Sequence, residues 1–436
     1  MNRPSAIVLL TGSELTRGET RDSNGSFLAS ELTRLGVRVL ELRLVPDDME
    51  ALERTVRWAC SSADIVLASG GLGPTADDLS VAAMANVFGR GVVRDEPARL
   101  RMRKFATDRL GDERLIPPNF DKQSEVVEGS TVLGNPVGLA PGFVVETDIV
   151  RDDSSAGVLI AMPGVPRELI AMFQQGVVPL LRERFSLLDS LLLETRWYRA
   201  KILGVPESGA EDRIEKLGFD DSKLEYGISA KPGDLTVRFI ARGPDDAAEL
   251  DSVRVRMAEE FGKDLVELPE TLSEPGSDIS WPRVMHERLL AAGVTLATAE
   301  SCTGGMIAAA LTQFAGSSAY FLGSAVTYAN AAKVDVLGVG SETLDSHGAV
   351  SDEVAREMAA GARERFGADY AVSVTGIAGP GGGSPEKPVG QVHIGIAGPD
   401  GVTARGFRFS GSRATIRERT VTAALDSVRR AMDAHR

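Results

Sequence analysis

Two hydrophobic periods alternate along this chain and divide it into segments. Residues 6–75 read as strand, helix, strand, helix, strand. "AIVLLTG" is a short apolar run closed by Gly12, and "NGSFLASELTRLG" has helical spacing closed by Gly36. "VRVLELRLV" is extended again, "MEALERTVRWACSS" returns to the helical period, and "DIVLASGGLGPT" runs into glycines. Apolar runs alternating with amphipathic helices predict a parallel sheet with both faces covered. "VLIAMPGVPRELIAMF" repeats the pattern, and the first domain is expected to cover residues 1–180. In residues 181–266, "ETRWYRAKILG" and "GDLTVRFIARG" alternate like half-exposed strands, and "DDAAELDSVRVRMAEEFG" is an amphipathic helix, which predicts a small α+β unit. "ELPETLSEPGSDIS", residues 267–280, has the Pro, Ser and acidic content of a linker. A second α/β pattern fills residues 281–436. The fold class is therefore α/β: two three-layer α/β domains with mainly parallel sheets, joined by a small α+β domain.

Composition narrows the function classes. A hydrophobic content of 43% and a charged content of 25% are those of a soluble globular protein. No apolar run approaches the ~20 residues that span a bilayer. The N-terminal stretch has no signal-peptide pattern, so no membrane contact and a cytoplasmic setting are expected. Cys60 and Cys302 are too few for a disulfide framework or a thiolate zinc site, and the four histidines are scattered. A carboxylate site for a hard cation stays open. The net charge of −14 argues against general nucleic-acid binding. "RLRMRK" (99–104) reads as a solvated or interface helix face.

Two constellations carry chemistry. In the first domain, "TGSELTRG", "SGGLGPTADD" and "MPGVPRE" close successive strands, so they share the carboxyl edge of a parallel sheet, where ligands bind. Glycines there let backbone N–H groups approach phosphate. Glu14, Asp77, Asp78 and Glu168 follow these turns and are expected to converge on one divalent cation. In the alternative, Asp77 and Asp78 cap a helix and Glu14 is a solvated turn residue. No GxGxxG opens a helix, which weakens a nicotinamide-dinucleotide reading.

The second constellation is "TLATAESCTGGMIAAAL", where Ser301 and Cys302 stand side by side at a strand-to-helix turn. The first free N–H groups of the helix are expected to serve as an oxyanion hole, with Gly304 and Gly305 leaving room for a ligand. Cys302 lacks a histidine in a motif-like context, though a Cys–Lys–Glu arrangement with Lys333 and Glu300 stays open. A serine can instead use a lysine of depressed pKa as its base, which favours Ser301 and leaves Cys302 as a packing residue. The bland alternative for Ser301 is a helix N-cap.

"GSELTRGETRDSN", "SGGLGPTADDLS", "NPVGLAPGF", "MPGVPREL" and "AESCTGG" resemble signatures of the CinA family. The resemblance implies a first domain similar to molybdopterin-binding domains. It would hydrolyse ADP-ribose and related dinucleotide pyrophosphates with a divalent metal (Mg, Mn or Co), K serving as an additional ion. Gly12, Asn24, Gly70, Gly71, Gly73 and Asn135 match substrate positions, and Glu14, Asp77, Asp78 and Glu168 metal positions. Ser13 stands where Asp is usual, and Ala76 where a polar residue is common. The C-terminal domain resembles nicotinamide mononucleotide deamidases, which need no cofactor. Ser301 is then the nucleophile. Lys333 and Tyr328 of "GSAVTYANAAK" are the base and a relay or positioner, and Thr375 a polar contact to substrate. Cys302, Thr303, Gly304, Gly305, Gly376 and Gly379 would lie against the substrate, and Arg413 and Arg417 would hold its phosphate. Ser412 replaces a common Asp, and Arg419 reads as a charged helix face. The middle segment resembles a KH-like domain without a basic GXXG loop, expected to act as a spacer or to support a homodimer. Two rival readings follow from the family: a non-enzymatic partner in DNA uptake or recombination, and a molybdopterin-binding first domain.

Overall fold

The computed structural model describes residues 3–147, 149, 157–187, 196–241, 243, 246–269, 272 and 277–435. It divides into two compact units, Met1–Glu194 and Thr195–Arg436.

The first unit is built on strands β1 (Ser5–Thr11), β2 (Arg38–Val45) and β3 (Ile65–Ser69), a short ribbon of β4 (Val92–Arg94) with β5 (Glu125–Val127), then β6 (Thr131–Leu133), β7 (Gly142–Glu146) and β8 (Val158–Met162). The main sheet runs β2-β1-β3-β8-β7-β6. Its first four strands are parallel, and β7 and β6 are antiparallel additions. All seven residues of β1 are buried, which explains its unbroken apolar run. Its side chains nonetheless alternate: Ala6, Val8 and Leu10 enter one core, Ile7 and Leu9 the other. Helices Asn24–Arg34 and Pro166–Met172 cover the first face, and Met49–Ser62 and Ser80–Phe88 the second. This is the predicted three-layer arrangement. The unit extends past the expected end at residue 180, because helix Val178–Phe185 buries Leu181 in the first core. The arginines of "RLRMRK" include Arg99 and Arg103, which pair with Asp121 at 3.0 and 2.8 Å on a half-exposed face.

The second unit holds two sheets. One is antiparallel, in the order β10 (Leu224–Lys231), β11 (Asp234–Ala241), β9 (Trp197–Leu203), β12 (Leu265–Glu267), and it is packed by helices Glu207–Leu217 and Ala247–Phe261. The other runs β14 (Phe321–Val326), β13 (Leu296–Glu300), β15 (Tyr370–Gly376), β16 (Gln391–Gly398), β17 (Gly401–Arg408). Strands β14, β13 and β15 are parallel, and β16 and β17 add an antiparallel edge. The middle segment is thus the expected α+β fold, but it belongs to the same compact unit as the C-terminal segment. Leu203, Val266, Leu268 and Leu272 share a core with Trp281, Leu296 and Leu425. Residues 267–280 accordingly include core side chains where a free linker was expected. Residues 270, 271 and 273–276 of that stretch lie outside the described residues.

Candidate active sites

In the second unit, chemistry collects at the carboxyl edge of β13, β14 and β15. Pairing sets Glu300 beside Val326 and Val374, so the next residues, Thr327, Ser301 and Thr375, lie in one row across three strands. Ser301 N–H donates to the Val374 carbonyl at 3.1 Å and Thr327 N–H to the Glu300 carbonyl at 2.8 Å, fixing that row. Helix Asn330–Leu337 returns Lys333 to it. Lys333 Nζ lies 3.2 Å from Ser301 Oγ, 2.9 Å from the Thr327 carbonyl and 3.3 Å from the Tyr328 carbonyl. Ser301 is 8% exposed and Lys333 1%. Burial lowers the Lys333 pKa, because the ammonium gives up water without gaining a carboxylate partner among the described residues.

Glu300 corrects two expectations. Its side chain points to the opposite face of the sheet from Ser301, into the N-terminus of helix Met306–Thr312. There it accepts from the N–H groups of Gly305 (2.9 Å), Ile307 (3.1 Å) and Ala308 (2.9 Å). The free donors of that helix are therefore already taken by a carboxylate, as helix termini favour, and are no oxyanion hole. Nor does Glu300 form a Cys–Lys–Glu relay. Among the described residues, the backbone N–H groups of Cys302 and Thr303 donate to no carbonyl or carboxylate. The Cys302 thiol is pushed up to about 11 by burial, against the needs of a thiolate nucleophile. Ser301 is not an N-cap: Gly305 holds that position, with a φ of 94° that favours glycine.

The Tyr328 phenol, 62% exposed, accepts from Arg413 Nη2 at 3.1 Å and makes no bond to Lys333. A relay through this phenol is absent; its carbonyl makes the contact instead. Arg413 also donates to the Gly379 carbonyl at 2.7 Å, tying the glycine loop to the site. Arg417 grips the nucleophile turn, with Nε to the Cys302 carbonyl (3.1 Å) and Nη2 to the Thr303 carbonyl (2.7 Å). Gly304 lies against Arg417, and a Cβ at Gly376 would come within 2.8 Å of the Gln391 carbonyl. Thr375 Oγ1 donates to the Ala349 carbonyl at 2.7 Å. His393, one of the four scattered histidines, lies opposite Thr375 in the β15–β16 register, with Nδ1 2.6 Å from Asp352 Oδ1.

The first unit has a cleft of about 460 Å³ at the carboxyl ends of β1, β3 and β8. Gly12, Glu14, Asn24, Gly70, Gly71, Gly73, Asp77, Asp78 and Glu168 all line it. Its floor is close-set: a Cβ on Gly70 (φ 107°) would lie 2.4 Å from the Thr11 carbonyl oxygen, and one on Gly71 (φ 68°) 2.2 Å from Ser80 Oγ. Asn24 Nδ2 bonds Ser69 Oγ (3.1 Å) and the Gly164 carbonyl (2.7 Å), joining three of the expected turns. Asn135 lies outside the lining and supports it, donating to Glu168 Oε2 at 2.7 Å. The Thr75 hydroxyl lies within hydrogen-bond reach of both the Asp77 and Asp78 carboxylates, and the bond to Asp77 is the main cause of that carboxyl's lowered pKa. Neither aspartate caps the helix that follows. Among the described residues, no three Asp, Glu, His or Cys side chains gather closely enough to hold a metal ion. The carboxylate oxygens suit a hard cation chemically, but the four expected ligands share a cleft without forming one coordination set.

No helix among the described residues is long and apolar enough to cross a membrane. Two family models match: one described as CinA C-terminal domain over residues 279–432, one as probable molybdopterin binding domain over residues 7–183. A CinA-like protein of Anaeromyxobacter dehalogenans is 38% identical, covering 98% of this chain and 99% of its own length. A putative competence-damage inducible protein of Clostridium acetobutylicum is 37% identical over 97% and 98%. A solved competence/damage inducible protein, CihA, from Agrobacterium tumefaciens is 49% identical, covers 35% of this chain and 93% of its own, and has a TM-score of 0.34. Signatures at both ends and this end-to-end similarity agree, and the chain belongs to the CinA family.

Proposed function

We propose that the second unit hydrolyses the amide of nicotinamide mononucleotide to nicotinate mononucleotide and ammonia, with Ser301 as nucleophile and Lys333 as base. The observation that carries this reading is the 3.2 Å approach of Lys333 Nζ to Ser301 Oγ at a buried position where, among the described residues, no carboxylate pairs with the amine. A neutral amine there keeps two N–H bonds to the Thr327 and Tyr328 carbonyls and turns its lone pair to the serine proton. Lys333 takes that proton as Oγ bonds the amide carbon, and the oxygen charge falls toward the Cys302 and Thr303 N–H groups. Lys333 then returns the proton to the departing nitrogen, the C–N bond breaks and ammonia leaves. Water, deprotonated by the same amine, hydrolyses the ester. Arg417 holds the carbonyls of the turn, so that its N–H groups keep their aim. Ammonia release from nicotinamide mononucleotide by purified protein tests the reading, and its absence refutes it.

For the first unit we propose a pyrophosphatase acting on ADP-ribose or a related dinucleotide, supported by the glycine floor and carboxylate walls of its cleft. A divalent cation would supply charge neutralisation at phosphorus. AMP formation from ADP-ribose with added Mg, Mn or Co tests this. The match to a probable molybdopterin binding domain favours a second reading, pterin affinity without cleavage, which the same assay separates.

A further inference from the structure

A second cleft in the C-terminal unit, of about 630 Å³, is separate from the row of Ser301, Thr327 and Thr375. Its floor is one face of the edge strand β17, where alternate residues Arg405 and Phe407, continued by Phe409, share a side. The two phenyl rings stack at 5.6 Å with planes 21° apart, and the Arg405 guanidinium sits 5.1 Å over the Phe407 ring. Its walls are cross-linked. Arg430 bridges Asp264 (2.8 Å) and Asp426 (2.6 Å), and buried Arg429 donates to the Lys263 carbonyl at 2.9 Å. At the other end Thr422 Oγ1 donates to the Pro232 carbonyl at 3.2 Å. The opening between them is thus preformed.

The cations in this cleft are unevenly committed. Arg430 is spent on two aspartates. Arg419 uses one nitrogen on Ser410, at 2.9 Å from its carbonyl. Neither Arg405 nor the Lys263 ammonium has a carboxylate partner among the described residues. In a chain of net charge −14, three available cations beside stacked rings, in a space of mononucleotide size, are a local exception. Aromatic faces accept a flat heterocycle, and guanidinium accepts phosphate oxygens. We infer that this cleft binds a mononucleotide, with the base against the Phe409 ring, which Phe407 backs from behind, and the phosphates on Arg405, Arg419 and Lys263. The site is independent of the deamidase and pyrophosphatase readings.

The test is photolabelling of the full chain with 8-azido-ADP, followed by mass-spectrometric mapping of the labelled peptide, with titration calorimetry of ADP alongside. The expected result is label on the peptide containing Phe407, suppressed by excess ADP. Arg405→Gln and Phe407→Leu should each weaken that labelling about tenfold and leave circular dichroism and Ser301-dependent turnover unchanged. Label confined to the glycine-floored cleft of the first unit, or persisting in both variants, overturns the inference. So does displacement of ADP by single-stranded DNA at far lower concentration than by ADP itself, which would mark a nucleic-acid groove instead.

Discussion

Lys333 is a cation placed where folding gains nothing from its charge. Its pKa is lowered from the ordinary 10.5 by burial, so the folded state resists protonation more than the unfolded chain does. The sign follows: the penalty is fully present below the folded pKa and is relieved as pH rises toward the unfolded value. The proposed activity should move the same way, because only the neutral amine can accept the serine proton. Deamidation should therefore climb with pH along a limb whose midpoint lies below that of a solvated lysine; a flat profile through that range would assign the base elsewhere. Ser301→Ala and Lys333→Ala should each lower kcat by about a thousandfold or more. Cys302→Ala should keep most turnover, since a thiol pushed to about 11 offers almost no thiolate at neutral pH. Equal loss in the cysteine and serine variants would transfer the nucleophile to sulfur.

At the level of elements, the nucleophile turn is held from both sides: the Glu300 carboxylate takes three N–H groups of the helix that follows, and Arg417 takes two carbonyls of the turn. Replacing Glu300 by Gln keeps the volume but removes the charge and turns an N–H₂ toward donors. The loss should be about 1–3 kcal/mol of stability, read as a lower Tm, with reduced deamidation. An unchanged Tm would mean that the helix terminus does not depend on this carboxylate. The strands and helices around these turns were legible in the sequence because period and glycine placement are local properties, as the alternating cores of β1 illustrate. The meeting of Ser301 with Lys333 was legible through their motifs. What was not legible is direction across a sheet. Glu300 and Ser301 are adjacent in sequence and point to opposite faces, so "AESCTGG" left a Cys–Lys–Glu arrangement with Glu300 open. The same holds for His393, which reaches Thr375 only through strand pairing, and for the carboxylates of the first unit, which share a cleft without sharing a centre.

Over the whole molecule, each unit carries its own apolar cores: among the described residues, those around β1, β3 and β8 are built from the first unit and those around β13 and β15 from the second. Cooperativity follows shared burial, so each unit should melt as its own transition. Gly70 gives a way to separate them. Its φ of 107° suits glycine, and an added Cβ would lie 2.4 Å from the Thr11 carbonyl, which β1 holds rigidly. Gly70→Ala should thus cost the first unit more than about 1 kcal/mol. Calorimetry should show one transition shifted down by several degrees and one unmoved. ADP-ribose cleavage should fall sharply, because the glycine floor of the cleft is displaced, while ammonia release from nicotinamide mononucleotide keeps its kcat and KM. If deamidation declines in step with the shifted transition, the two halves unfold together, and the separation of cores does not translate into separate stability.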